Sequence, residues 1–385
     1  MNVASVRLSA RHAFVVACLA VGVAGITRAQ DESVLVQLAE TPDSSELLVE
    51  GPIDEQSCMK ELRECCGCPG WNRYAFFDSL FLQRSNQNGN RSIILTLSNQ
   101  TLATTQDLDP TIGTGFRTFY GSLWNERYGW EVGYLGLWGM FGSAAATGPN
   151  NLRTPEPLSY AIENFGDAHD ARVTYLSSLN MAEINVFRYA AREQCRSVAQ
   201  SAQRSCCDPC NHTCVRNCNY LNALLGFVWA GLDERAGLSM TCCPNNETAS
   251  YNVRTNTNYY GAQIGMQGRR QCHRWAVEGW WKTALCGVSA YQASDPIVGT
   301  ISGYRPATSA SNGGVGFIGN LNASLIYRLT DMWGVRCGYN MIWLTNAALA
   351  PSQWDFSDTS TSGSRINDNG TVFLHGANLG LEARW

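Results

Sequence analysis

Residues Phe317–Leu329 read FIGNLNASLIYRL, and after a turn at Thr330-Asp331 the chain continues WGVRCGYNMIW, Trp333–Trp343. Successive side chains of an extended strand point to opposite faces. On that rule Phe317, Leu321, Ala323, Leu325, Tyr327 and Leu329 share one face, against Asn320, Asn322, Ser324 and Arg328 on the other. The second run repeats the scheme: Trp333, Val335, Cys337, Tyr339, Met341 and Trp343 oppose Gly334, Arg336, Gly338 and Asn340. Both runs outlast the roughly five or six residues usual for a soluble strand. They match the roughly 9–11 residues that a tilted strand needs to cross a lipid bilayer.

The same alternation appears elsewhere. In YYGAQIGMQG, Tyr260, Ala262, Ile264 and Met266 oppose Gly261, Gln263, Gly265 and Gln267. In TVFLHGANLGLEARW, Thr371–Trp385, the apolar side carries Phe373, Leu379, Leu381 and Trp385, and the mixed side carries Glu382 and Arg384. Strands are expected at 72–83, 113–124, 128–142, 170–177, 180–190, 220–232, 236–242, 251–267, 274–287, 314–328, 332–344 and 371–385. Short turns alternate with long polar connections, so turns gather on one rim and loops on the other, the plan of an outer-membrane barrel. SIILTLS, Ser92–Ser98, is strand-like but would spoil that alternation, and it is assigned to the first long loop. In hydrocarbon every backbone N–H and C=O must be paired within the protein, which a sheet achieves by closing on itself. The sequence therefore predicts an all-β, antiparallel transmembrane β-barrel of about 12 strands. Both termini fall on the periplasmic side, and the last strand pairs with the first.

Composition agrees. Charged residues are sparse at 16% of the 385, while Gly (36), Tyr (15) and Trp (12) are plentiful. After residue 29 no apolar run approaches the roughly 18 residues of a membrane helix. Residues 1–29 read as a cleaved secretory signal, with Arg7 and Arg11, an apolar stretch Ala13–Ala24, and Thr27-Arg28-Ala29 before the cut. Removing its three arginines takes the formal charge from −4 to −7. With no basic patch to neutralise phosphates, nucleic acid is not an expected partner. Residues 30–70 form an acidic, cysteine-containing periplasmic lead-in, and 71–385 the barrel. The expected location is the outer membrane.

Several phrases resemble the beta-barrel porin family, type seven, of planctomycete bacteria: VTYLSSLNMAEINVFR (Val173–Arg188), GFVWAGLDER (Gly226–Arg235), YNVRTNTNYYGAQIGMQGR (Tyr251–Arg269), EGWWKTAL (Glu278–Leu285), GFIGNLNASLIYRLTDMWGVRCGYNMIWL (Gly316–Leu344) and VFLHGANLGLEARW (Val372–Trp385). The resemblance spans most of 71–385 and leaves out the lead-in and the cysteine-rich stretch near residue 206. It implies an exported outer-membrane barrel and supplies no solute. Outer-membrane barrels in general end on an aromatic residue that the assembly machinery reads, which fits Trp385.

Alternation places Glu183, Glu278, Lys282, Arg328, Arg336, Glu382 and Arg384 on inward faces, since charge facing lipid is costly. They form either a ring that selects small solutes or ions, or opposite charges that pair and plug the lumen. Trp124, Tyr128, Trp130, Trp275, Trp333 and Trp385 fall near the short-turn rim and Trp343 near the other, as membrane-interface aromatics. Sixteen cysteines in an exported chain point to disulfides. In 191–219, read as an extracellular loop, lie Cys195, Cys206, Cys207, Cys210, Cys214 and Cys218. Cys242 and Cys243 are expected in the next loop on the same rim, and Cys58, Cys65, Cys66 and Cys68 on the opposite, periplasmic one. Cys207-x-x-Cys210 has zinc-ligand spacing, but an oxidising compartment favours disulfides. With His169, His212, His273 and His375 outside any HExxH motif and no GxSxG elbow, no catalytic residue, metal or cofactor is assigned. The expected function is a porin-like passive channel, with a secreted, β-rich surface or adhesion protein as the alternative.

Overall fold

The alternating runs close into a barrel in a computed structural model that describes residues 72–85, 89–125, 127–189, 219–242, 247–272, 274–300 and 303–385. The strands are β1 (Arg73–Ser85), β2 (Ser92–Thr96), β3 (Thr101–Thr104), β4 (Gly113–Leu123), β5 (Tyr128–Arg153), β6 (Ala168–Tyr189), β7 (Asn219–Cys242), β8 (Glu247–Cys272), β9 (Trp275–Ser294), β10 (Ile297–Val298), β11 (Tyr304–Arg305), β12 (Thr308–Arg328), β13 (Trp333–Ala347) and β14 (Gly370–Arg384). The wall runs β1-β4-β5-β6-β7-β8-β9-β12-β13-β14, every neighbour antiparallel. β14 returns to β1, from Tyr74↔Arg384 to Ser85↔Phe373, and seals the seam. Main-chain N–H groups of Asn72 and Arg73 both donate to the Trp385 carbonyl at 2.9 Å, so the pairing reaches the rim. No helix of the described residues is long and apolar enough to cross a membrane.

Outward faces carry Phe77, Phe81, Ile184, Phe227, Ile264 and Leu285, all well exposed. A belt this continuous is not stable against water and marks the lipid-facing wall of a membrane barrel. Trp333 and Trp343 bracket it on β13. Ten residues of tilted strand between them span about 25 Å, the height of the apolar band in such barrels. Above Trp343's level the outward positions turn polar: on β7, Leu225 and Phe227 give way to Asp233 and Arg235, and on β8, Ile264 and Met266 give way to Arg254 and Asn252. The wall from β5 to β12 thus rises out of the lipid, whereas β1, β4, β13 and β14 are shorter. Inside the raised wall a cluster including Leu158, Phe165, Val173, Leu238, Met240 and Trp354 is buried. The β2–β3 hairpin adds to the top of β5 through Leu95↔Arg153 and lies outside the closed wall, so Ser92–Thr96 is a strand that does not cross.

Residues 348–369, between β13 and β14, fold into the mouth and bury Trp354 and Phe356. The Ala350 N–H donates to Glu234 Oε2 at 2.8 Å and the Ala348 N–H to Thr257 Oγ1 at 3.1 Å. Partial burial opposes ionisation of Asp355, but the Ser357 hydroxyl and the Gly363 and Ser357 N–H groups donate to its carboxyl and hold it below the usual carboxylate range.

The twelve expected crossings resolve to ten. Stretches 170–177 and 180–190 are one strand, β6, and 220–232 and 236–242 are one strand, β7. Ser177-Ser178 and Asp233-Glu234-Arg235 look like turns because they interrupt apolar runs. In the wall they pair directly, Ser177↔Glu234 and Ser178↔Asp233, without a break in the ladder. Ser177 and Glu234 face a buried arginine, and Asp233 and Arg235 face out above the lipid band.

This correction moves a rim. β6 ends at Tyr189 and β7 begins at Asn219 on the short-turn rim, where both ends of the barrel also lie. The connection 190–218 lies outside the described residues, but its attachment points are not on the long-loop rim that an extracellular loop 191–219 requires. Cys242 closes β7 at the opposite rim, the full length of the strand from Asn219. The separation of Cys58, Cys65, Cys66 and Cys68 from the second cysteine set loses its topological ground, because both segments join the barrel on one rim. These four, with Cys195, Cys206, Cys207, Cys210, Cys214, Cys218 and Cys243, lie outside the described residues.

Candidate functional site: the lumen

The inward faces of a ten-stranded wall enclose more space than aliphatic side chains alone fill. Near the short-turn rim that space holds charge. Arg336, on β13, is fully buried, and its Nη1 donates to Glu278 Oε1 at 2.9 Å and Glu382 Oε2 at 3.0 Å. Arg269 grips Glu382 with two parallel bonds, at 2.7 and 2.9 Å, and reaches Glu278 at 3.1 Å. Arg384 adds a bond to Glu278 at 2.8 Å, and the Tyr220 hydroxyl donates to the same carboxylate at 3.2 Å. Fork-like guanidinium–carboxylate contacts of this kind are strong and geometrically specific.

One level up, Arg117 pairs with Asp78, and Arg336 Nε lies 3.4 Å from the same carboxylate. Lys282 Nζ bridges Glu131 and Glu183, at 2.9 Å each, while Tyr74 donates to Glu131 at 2.6 Å and Gln263 to Glu183 at 2.6 Å. Aromatic rings share this level. Arg336 lies 4.2 Å from the Phe76 ring centroid, Arg117 4.5 Å from Trp280, and Lys282 4.5 Å from Phe119, so the cations also have π-faces. Four arginines and one lysine (Arg117, Arg269, Arg336, Arg384, Lys282) meet five carboxylates (Asp78, Glu131, Glu183, Glu278, Glu382), and the lumen is balanced. The gap among Phe76, Phe119, Glu131, Gln267, Trp280 and Lys282 has no room for a water molecule.

Above the charges an apolar plate crosses the barrel: Leu80, Leu82, Leu137, Ile318, Ile342 and Leu374 are buried in one cluster. Above that plate a second polar node ties three strands. Arg84 is paired with Glu234 and contacts the Tyr175 hydroxyl, and it donates to Ser177 at 2.8 Å.

Six of the seven charges that alternation places inward (Glu183, Glu278, Lys282, Arg336, Glu382 and Arg384) sit in the lower network. Arg328 does not. It closes the β12–β13 turn, donating to the Asp331 carbonyl at 2.7 Å, with Asp331's carboxylate 3.4 Å away and open to solvent. Asp78, Arg117 and Glu131 were missed, although each lies at inward parity on an expected strand, and Arg269 continues that parity two residues past the end of the expected strand 251–267. Applying the alternation to β1, β4, β5 and β8 as it was applied to β13 finds them. Arg84 and Glu234 carry no such signal, because they fall where the sequence suggests a loop and a turn.

Aromatic side chains gather toward the two ends of the wall. Tyr120 packs against Trp130 and Trp385 at centroid distances of 5.6 and 6.3 Å, and Trp275 against Tyr327 at 4.8 Å, on the short-turn side. Trp124, Tyr128 and Trp333 are exposed on the same side, and Trp343 stacks on Phe373 at 5.0 Å on the other. His375 faces lipid and shares a 2.7 Å hydrogen bond with the Tyr339 hydroxyl. No group of metal-ligating side chains occurs among the described residues.

No family model matches this chain, and no curated protein does. Among solved structures, the outer membrane protease OmpT of Escherichia coli aligns over 82% of this chain and 97% of its own, at 11% identity and a TM-score of 0.41. The Pseudomonas putida toluene transporter TodX aligns over 86% and 93%, at 9% identity and 0.23. A Pseudomonas aeruginosa FadL homologue aligns over 82% and 90%, at 8% identity and 0.23. At such values the function of this chain has to be read from its own geometry.

Proposed function

We propose that this chain is an outer-membrane barrel with a sealed lumen, a structural anchor rather than an open pore. The observation that carries this reading is the stack of two closed layers: the balanced charge network around Arg336 and the apolar plate of Leu80, Leu82, Ile342 and Leu374 above it. A porin-like channel, the function expected from the sequence, needs a continuous water path with binding weak enough to release its solute. Here each lumen cation is tied to carboxylates inside the wall, and aliphatic side chains fill the next level. The exposed apolar belt favours a membrane span over the secreted alternative, because such a belt in water would drive association. The short-turn rim then faces the periplasm. An anchor of this design holds up the raised wall and the segments that leave its rims.

Planar-bilayer recording of the purified, folded protein tests the reading, with an open porin as the positive control. Insertion without unitary conductance steps is expected. Stepwise conductance by the wild-type chain would overturn the sealed-lumen proposal and restore the channel.

A further inference from the structure

The short-turn rim carries one sign of charge on its outside. Arg73 at the start of β1, Arg127 in the β4–β5 turn, Arg188 near the end of β6, Arg270 near the end of β8 and Arg274 in the β8–β9 turn are all exposed. Arg73, Arg188 and Arg270 share parity with the lipid-facing residues of their strands, so their guanidinium groups leave the wall outward. None of the five pairs with a carboxylate among the described residues, in contrast to the lumen cations. The exposed acidic side chain described on this rim is Asp331, already facing Arg328. The five span a contiguous arc of the wall, β1-β4-β5-β6-β7-β8-β9. Trp124, Tyr128, Trp130 and Trp275 lie on the same arc, at the depth where indole and phenol rings sit among headgroups. A cleft of about 380 Å³ opens at one end of the arc, between Arg73, Ser122, Leu123 and Trp385.

We propose that this arc binds the phosphates of anionic phospholipids, of the phosphatidylglycerol type, in the leaflet that meets the short-turn rim. Guanidinium groups just beyond an aromatic girdle stand level with lipid phosphates, and a planar fork suits two phosphate oxygens. A basic side chain near an anionic membrane surface gains about 1 kcal/mol, a factor of roughly five per arginine. Zwitterionic lipids offer the same phosphate with its charge cancelled, so the arc would select by net charge. The inference rests on the membrane barrel and does not depend on whether the lumen conducts.

The test is lipid retention by the full folded chain in detergent micelles containing equal dioleoyl-phosphatidylglycerol and dioleoyl-phosphatidylcholine, read by native mass spectrometry. Wild type is expected to retain phosphatidylglycerol at least about fivefold over phosphatidylcholine. The triple variant Arg188→Gln/Arg270→Gln/Arg274→Gln, which leaves only Arg73 and Arg127 of the arc, should lose most of that preference, and the Lys version of the same triple should keep most of it. Arg172→Gln/Arg235→Gln/Arg254→Gln, which removes equal charge from the raised wall, should leave it unchanged. Heat-modifiable gel mobility confirms that each variant is folded. No preference in wild type, full retention in the Gln triple, or an equal loss in the raised-wall control would each overturn the proposal.

Discussion

Arg336 and Arg328 show how far one residue's sequence context can mislead about its energetics. Both are arginines at inward parity on adjacent strands of one hairpin. Arg336 is buried among Asp78, Glu278 and Glu382, whereas Arg328 closes an exposed turn with Asp331. A buried ion pair is poor evidence of net stability, because desolvation offsets most of its attraction. Removing one partner is different, since it strands the other charge in a dry site. Arg336→Ala leaves three carboxylates short of a cation and should destabilise the folded barrel by about 3–5 kcal/mol. Arg328→Ala loses a solvent-screened pair and should cost less than about 1 kcal/mol. Urea titration of the detergent-folded proteins, followed by gel mobility, measures both. Equal shifts would mean that the lumen network is hydrated rather than dry. Alternation reveals that both residues face inward, but depth along the strand decides whether water reaches them.

At the scale of the strand, what could be read from the sequence was limited by where lipid stops. Within the apolar band most outward positions are greasy, and β12, β13 and β14 follow the residues expected on each face. Past the band both faces become polar, the pattern loses contrast, and Ser177-Ser178 and Asp233-Glu234-Arg235 mimic turns. β5 conceals a different feature. Its outward residues are Tyr128, Trp130, Val132 and Trp138 before Gly139, then Phe141, Ser143 and Ala145 after it. The pairing with β6 jumps from Leu137↔Leu179 to Met140↔Ser177, so one extra residue is absorbed there. Such a bulge resets parity, and Gly139 takes a positive φ of 75° to make it. A Cβ at Gly139 would meet no atom within 4 Å, so substitution there tests the backbone alone. Gly139→Ala should therefore cost about 1–2 kcal/mol, the strain of a left-handed L-residue, visible as an earlier urea midpoint with an unchanged slope. A neutral result would mean that β5 can reach the same parity without the left-handed residue.

At the scale of the molecule, an even number of crossings fixes which connections share a compartment, and merging two pairs of strands changes that assignment for one connection alone. With twelve crossings, 190–218 and the Cys242-Cys243 turn would lie on one rim. With ten, β7 separates them by its whole 24-residue length, across the lipid band. The sealed lumen offers no shortcut through the wall, and the closed seam offers none around an edge. Disulfide mapping of the oxidised chain by mass spectrometry should accordingly find no bridge from Cys195, Cys206, Cys207, Cys210, Cys214 or Cys218 to Cys242 or Cys243. Bridges between that set and Cys58, Cys65, Cys66 or Cys68 become topologically allowed, since both segments join the barrel beside Arg73 and Asn219 on the short-turn rim. The two pairings differ in which tryptic peptides become linked, so one non-reducing digest separates them. A Cys218–Cys242 linkage would require β6 and β7 each to be broken at the serine and acidic stretches after all, and the barrel to have twelve crossings.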